Sequence, residues 1–156
     1  HVVYNTNRGL FLRAMDEVES HLIPGTEDNV TLHAPFFSPD GQSIGFFQDG
    51  QLKRIPLAGG APVVICKADG SAASWAEDGT IVFAQPDGIW RVGSTAGSPT
   101  LVVKAAAGEK MDDAILLPDG RTVLFTVTTV TGPTRWDAAD IEAGLRECRL
   151  APDHVV

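Results

Sequence analysis

Short apolar runs and tight polar turns alternate along this chain. Pro35-Phe36-Phe37 leads into Ser38-Pro39-Asp40-Gly41 and then Ile44-Gly45-Phe46-Phe47. Ala73-Ser74-Trp75 leads into Ala76-Glu77-Asp78-Gly79 and then Ile81-Val82-Phe83. Ile115-Leu116-Leu117 leads into Pro118-Asp119-Gly120 and then Val123-Leu124-Phe125. Such runs, bounded by Asp-Gly, are read as strands joined by hairpins: Gly supplies positive φ and Asp accepts from its own turn backbone. The three turn aspartates stand 38 and then 41 residues apart.

A period of about 40 residues, made of short strands and tight turns, marks the four-stranded blade of a β-propeller. The first full unit predicts strands at 35–37, 43–47, 51–56 and 61–66, with turns at Asp49-Gly50 and Gly59-Gly60. The second predicts strands at 73–75, 80–84, 89–93 and 99–103. Gln51-Leu52-Lys53-Arg54-Ile55 and Gly88-Ile89-Trp90-Arg91-Val92 alternate, as expected of strands with one face packed and one more exposed. Ile81-Val82-Phe83 and Val123-Leu124-Phe125 are continuously apolar, as expected of strands covered on both faces.

The ends depart from this pattern. Residues 1–34 read as a blade without its first strand, with strands at 2–5, 9–14 and 20–23. The last unit opens at the third Asp-Gly turn, and its second strand extends through Val130. Residues 139–150 suit a strand pair or one helix with Ile141, Leu145 and Cys148 on a face. Gly144 disfavours the helix, so a strand pair is expected. The reading is one all-β domain of antiparallel blades, with units at 1–34, 35–72, 73–112 and 113–156. About three and a half to four blades make either a small propeller or part of a larger one.

The 156 residues carry a net charge of −8 and a pI near 4.8. That balance disfavours nucleic acid and anionic membrane surfaces as partners. No apolar run is long enough to span a bilayer, so membrane insertion is not expected. Cys66 and Cys148 have no zinc or redox spacing and read as two thiols, with a bridge between distant blades as the alternative.

Carboxylates are the commonest candidate chemistry. Asp40, Asp49, Asp78, Asp87 and Asp119 all precede or sit beside turn glycines, and their expected role is turn stabilisation. No calcium-loop spacing is present. Asp112 and Asp113 are adjacent on a strand and point to opposite faces, which disfavours an acid/base pair. His1, His21, His33 and His154 share no ligand spacing. His33 reads as a surface or loop histidine, with a central channel as its functional alternative. Ser38, Ser71, Ser74 and Ser98 read as turn or strand serines outside any triad order. Trp75 and Trp90 are expected between blades, and Trp136 is expected to be exposed. No catalytic, cofactor-binding or metal residue is assigned.

The run from Pro35 through Phe47, continued by Leu52-Lys53-Arg54-Ile55-Pro56-Leu57-Ala58-Gly59-Gly60, resembles the repeat of TolB-like, WD-repeat-like bacterial propellers. With Gly79-Thr80-Ile81-Val82-Phe83 and Gly88-Ile89-Trp90-Arg91-Val92 it is similar to propeller segments of bacterial receptor-type serine/threonine kinases. The resemblance implies a periplasmic or extracytoplasmic sensing module that binds a protein or small-molecule ligand without being an enzyme. Related propellers also cap prolyl-oligopeptidase-type hydrolases. The chain has no kinase catalytic motifs and no Gly-x-Ser-x-Gly elbow, so only a non-catalytic part of such an enzyme fits. A small hydrolase with a site in the channel is the remaining, less favoured class.

Open blade edges invite pairing. The expected species in solution is therefore a homodimer, or a pair exchanging a strand. Light scattering checks this, and a monomer at low concentration removes it.

Overall fold

The computed structural model describes residues 1–27, 31–130, 132–142, 144 and the backbone of 146–150. Its strands form four antiparallel sheets in chain order. The first contains β1 (Val2–Thr6), β2 (Gly9–Arg13) and β3 (His21–Leu22). The second contains β4 (His33–Phe37), β5 (Ser43–Gln48), β6 (Gln51–Pro56) and β7 (Val63–Lys67). The third contains β8 (Ala72–Trp75), β9 (Thr80–Gln85), β10 (Gly88–Gly93) and β11 (Thr100–Lys104). The fourth contains β12 (Glu109–Leu116), β13 (Thr122–Thr129), β14 (Arg135–Asp140) and β15 (Arg146–Leu150). Every sheet is a meander, each strand bonded to its sequence neighbour. The innermost strands β4, β8 and β12 lie side by side, with β1 next to β4. These are β-propeller blades arranged as an arc.

The turns explain the meander. Gly41, Gly79 and Gly120 adopt φ of 66°, 85° and 65°, and each amide bonds the carbonyl three residues back. The Ser38 and Leu117 amides close their hairpins on Ser43 and Thr122, whereas Ala76 closes on Thr80, one residue sooner.

Packing between blades uses the two faces of each second strand separately. Ile44 and Phe46 of β5 join Leu10, Ile23, Leu32 and Ile55 in a core against the first sheet. Phe47, the next residue, turns the other way to meet Ile81 and Phe83 of β9. Val82 and Ala84 of β9 turn away again, to Val123, Phe125 and Val127 of β13. All these residues are buried. The run Ile81-Val82-Phe83 is therefore covered on both faces, as the sequence predicted, whereas in Val123-Leu124-Phe125 the part-buried Leu124 lies on the outer face that Ile115 shares. Trp75 and Trp90 are part-buried against the middle core, and Trp136 is 40% exposed.

Two expectations about the last unit need correction. The fourth sheet begins at Glu109, so residues 109–112 belong to it and not to the preceding unit. The strand pair replaces the helix, but its first strand starts at Arg135, not at residue 139. The period was hidden because an inward position carries Asp137, whose side chain is 1% exposed. Arg135 makes this position tenable. Its guanidinium bonds Glu109 at 2.6 Å and Asp137 at 3.2 Å, tying β14 to β12 across β13. Those bonds, Glu109 first, hold the guanidinium above its ordinary pKa.

The outer faces of the arc remain open. Val2, Tyr4 and Phe11 lie on one, with the Tyr4 and Phe11 rings stacked at 5.9 Å. Ile115 and Trp136 lie on the other, and both are exposed.

Gly45 faces Phe36 across β4 and β5, and a Cβ there would fall within the Phe36 ring. Gly45→Ala is expected to lower stability by about 1–3 kcal/mol through overpacking. Phe83→Ala should cost about 3–5 kcal/mol through cavity formation. Gly93→Ala meets nothing within 4 Å and serves as the near-neutral control. Urea unfolding midpoints check all three.

Candidate functional site

The site is formed by His33 at the start of β4, Ser71 just before β8 and Asp112 within β12. A bulge interrupts β4 between His33 and Phe36, where Ala34 has φ of 48°. A matching bulge interrupts β12 between Asp112 and Ile115, where Asp113 has φ of 52°. A bulge adds a residue to one strand and re-aims its side chains. β8 has no such break, and Ser71 sits just before it with its amide on the Ala84 carbonyl.

His33, Ser71 and Asp112 each precede a turn aspartate by the same interval, and they stand 38 and 41 residues apart. They are equivalent positions in three successive blades. Together they line one cavity of about 420 Å³, with Asp69, Gly70, Pro86, Lys110, Met111 and Thr128. The cavity lies at the end of the strands opposite the turns at Asp40, Asp78 and Asp119. Gly70 is required there, because a Cβ would meet the Phe47 ring and the Ala84 carbonyl.

The hydrogen bonds define the polarity of the cavity. The Ser71 hydroxyl donates to Asp112, and the Asp113 amide bonds the same Asp112 oxygen at 2.9 Å. His33 Nδ1 lies 3.0 Å from the Thr31 carbonyl, and Nε2 lies 3.5 Å from Asp69. The imidazole stacks on Phe47 with centroids 5.8 Å apart, and Phe47 meets Phe83 edge-on at 6.1 Å. The cavity floor is thus continuous with the middle core.

His33 stands at the start of β4 and lines this cavity with its side chain 43% exposed. Asp112 points to the cavity while Asp113 bonds Thr126, so the two acids diverge as expected. Ser71 donates directly to a carboxylate and not to a histidine, so no serine–histidine relay is assembled. Among the described residues, no group of three or more His, Cys, Asp or Glu is placed to hold a metal ion. Ser74 bonds the Ala114 carbonyl across blades, and Ser98 is exposed in a loop. His1 is exposed, His21 pairs with Glu17, and His154 lies outside the described residues. Cys66 is a free, buried thiol, and burial pushes its pKa up to about 11. The side chain of Cys148 lies outside the described residues.

The turn aspartates hold their turns. Asp40 accepts from the Ser38 hydroxyl and the Gln42 amide, and Asp78 accepts from the Thr80 amide. Asp119 accepts from the Thr122 amide and hydroxyl and the Arg121 amide. Asp49 and Asp87 act differently: Asp49 accepts from Thr31, and Asp87 accepts from the Trp90 indole. Two further grooves flank Trp75 at the turn end, at about 450 and 560 Å³.

The set His33, Ser71 and Asp112 was missed in the sequence because each residue was weighed by type. The turn period contained the signal, read seven residues upstream of each aspartate.

The architecture is that of a β-propeller. No family model and no curated protein matches the chain. Solved structures do match. TolB from Acinetobacter baumannii aligns at 21% identity and TM-score 0.74, over 96% of this chain and 40% of its own. A structure of a nidogen/laminin complex aligns at 13% identity and TM-score 0.76, over 97% and 61%. An oligogalacturonate lyase in complex with manganese aligns at 15% identity and TM-score 0.68, over 95% and 49%. The chain spans 40% to 61% of the length of these three. The fold is a TolB-like β-propeller fold, and the likeness extends to fold alone.

Hydrogen bonds to the carboxylates lower the pKa of Asp40, chiefly from Ser38, and of Asp119, chiefly from the Thr122 amide. The ordinary value is 3.8. A carboxyl depressed in the native state stabilises fully above that value, and the effect is lost as pH falls through the native pKa. Asp119→Asn is therefore expected to lower stability at pH 7 and to match wild type at strongly acid pH. Urea midpoints measured across that range check the convergence.

Proposed function

We propose that the chain is a non-enzymatic binding or sensing module that presents the bulged end of its blades to a protein or small-molecule ligand. The observation that carries this is the convergence of His33, Ser71 and Asp112, from three successive blades, on one cavity. Small-molecule sites are concave and hold a few placed polar groups on a largely pre-formed frame. Here the frame is strands and bulges, with Phe47 beneath the imidazole. The Ser71 hydroxyl donates a hydrogen bond to Asp112, which fixes the orientation of both groups at the cavity.

The resemblance to extracytoplasmic sensing propellers supports a location outside the cytoplasm. A second reading makes the chain the non-catalytic propeller segment of a larger kinase or peptidase. It is supported by the fraction of longer structures that the chain spans, among them the tricorn protease, at 12% identity over 92% of this chain and 15% of that one. Homodimer formation belongs to the same proposal: a second copy covers the open faces that carry Tyr4 and Phe11 at one end and Ile115 and Trp136 at the other.

A displayed library of random peptides tests the binding reading. The wild-type chain is expected to enrich defined sequences. The triple variant His33→Ala, Ser71→Ala, Asp112→Ala should bind them at least ~10-fold more weakly, about 1.4 kcal/mol, while keeping its unfolding free energy within ~1 kcal/mol as expected for surface changes. No enrichment, or equal binding by the folded variant, overturns the assignment.

A further inference from the structure

We infer that the chain pairs with a second copy head to tail, the outer face of the first blade in one copy seating on the outer face of the fourth blade in the other. The inference rests on the homodimer reading above and adds which face meets which.

The blade repeat carries it. Tyr4, Phe46, Phe83 and Phe125 each pair with the third residue of the strand that follows. They are one position in four blades, and Val2, Ile44, Ile81 and Val123, two residues earlier, are another. Such alternate residues share a face. In the second, third and fourth blades both positions are fully buried, each against the blade before. In the first blade Val2 and Tyr4 are 40% and 39% exposed.

The fourth blade shows the other half of the same seam. Leu10, Leu52 and Ile89 are the second residues of β2, β6 and β10, and each is fully buried against the blade that follows. Trp136 holds that position in β14 and is exposed. Ile115 pairs with Leu124 as Phe36 pairs with Gly45, and Phe36 meets Trp75 of the following blade edge-on at 6.2 Å. One chain thus displays both halves of an interface that it already makes three times within itself.

The seams are polar, and this sets the pairing. At each one the last hairpin of the later blade leans on the outer strand of the earlier blade. The Gly60 amide bonds the Pro24 carbonyl just beyond β3, and the Gly97 amide bonds the Ile65 carbonyl of β7. Gly144 lies against the Val102 carbonyl of β11, where a Cβ would stand 2.8 Å from the oxygen. Two first-blade faces set together would oppose hairpin to hairpin. A first-blade face on a fourth-blade face reproduces the seam, and the connection at 14–20, with Met15 and Val18 exposed, takes the place of the hairpin over β15. Thr126 pairs with Trp136 as Phe47 pairs with Leu52. The contact of Phe47 with Phe83 therefore places Tyr4 of one copy over Thr126 and Trp136 of the other. An interface between unlike faces is heterologous, and two equivalent ones close a pair.

Light scattering on the full chain and on two face variants tests this. Val2→Lys with Tyr4→Lys alters one face, and Ile115→Lys with Trp136→Lys alters the other. Each variant alone is expected to weaken the dimer at least ~30-fold, the scale of hot-spot residues. A mixture of the two should form a heterodimer through its one intact seam. Dimer retained by either variant alone, or no heterodimer between variants whose circular dichroism matches wild type, overturns the inference. Cross-linking gives a readout that does not depend on the lysine variants folding. In a Cys148→Ser background, a short bis-maleimide should join Tyr4→Cys chains to Trp136→Cys chains in preference to like with like. Like-to-like products, or none, overturn the pairing, and species that grow beyond two copies overturn the closed pair. A like-to-like dimer leaves the homodimer reading standing and defeats only this one. A wild-type monomer throughout defeats both.

Discussion

Everything in this molecule depends on a strand that is buried on both sides. β9 sends Ile81 and Phe83 into one core and Val82 and Ala84 into the next. β5 divides its side chains in the same way, with Phe46 to one neighbour and Phe47 to the other. No single sheet has a core of its own. Apolar burial, at roughly 25 cal/mol per Å², is realised only when sheets stand in sequence, as in other repeat architectures. Register follows from this arrangement, because a shift of one residue would exchange the two cores.

Much of this was legible from the sequence because the physics is local. Asp-Gly turns need positive φ, hairpins follow from turns, and doubly covered strands read as unbroken apolar runs. Strand positions from 35 to 104 agree with the structure to within two residues. The fourth blade was harder to read, since its order rests on a charged interior. Asp137 occupies an inward position where the pattern expects an apolar residue, and its neighbour Arg135 is held in turn by Glu109, which is distant in sequence. A pairing across 26 residues leaves no periodic trace. The bulges at Ala34 and Asp113 left no sequence signal either, since Ala rarely adopts positive φ and Asp113 sits within a strand pattern with no glycine beside it.

The site sits where that irregularity lies. The regular parts of the blades make the scaffold, and the two bulges, with the unbroken strand between them, bring equivalent positions to one place. Their identities differ: imidazole, hydroxyl and carboxylate. The scaffold repeats, and the chemistry displayed on it does not. The likeness to TolB, to a lyase and to a nidogen/laminin complex is accordingly a likeness of scaffold.

The spread of His33, Ser71 and Asp112 over three sheets has a mechanical meaning. Each sheet meets its neighbour through an apolar seam, and the seams are non-directional. A ligand held by all three residues bridges two seams with directional bonds. It acts as a clasp across the arc, and its binding free energy adds to the resistance of the sheets to parting, by RT ln(1 + [L]/Kd). Phe47 carries the same connection inward, since its ring stacks with the imidazole and makes a T-shaped contact with Phe83 in the seam below. Under the proposed binding role, occupancy of the rim and cohesion of the arc would be linked quantities.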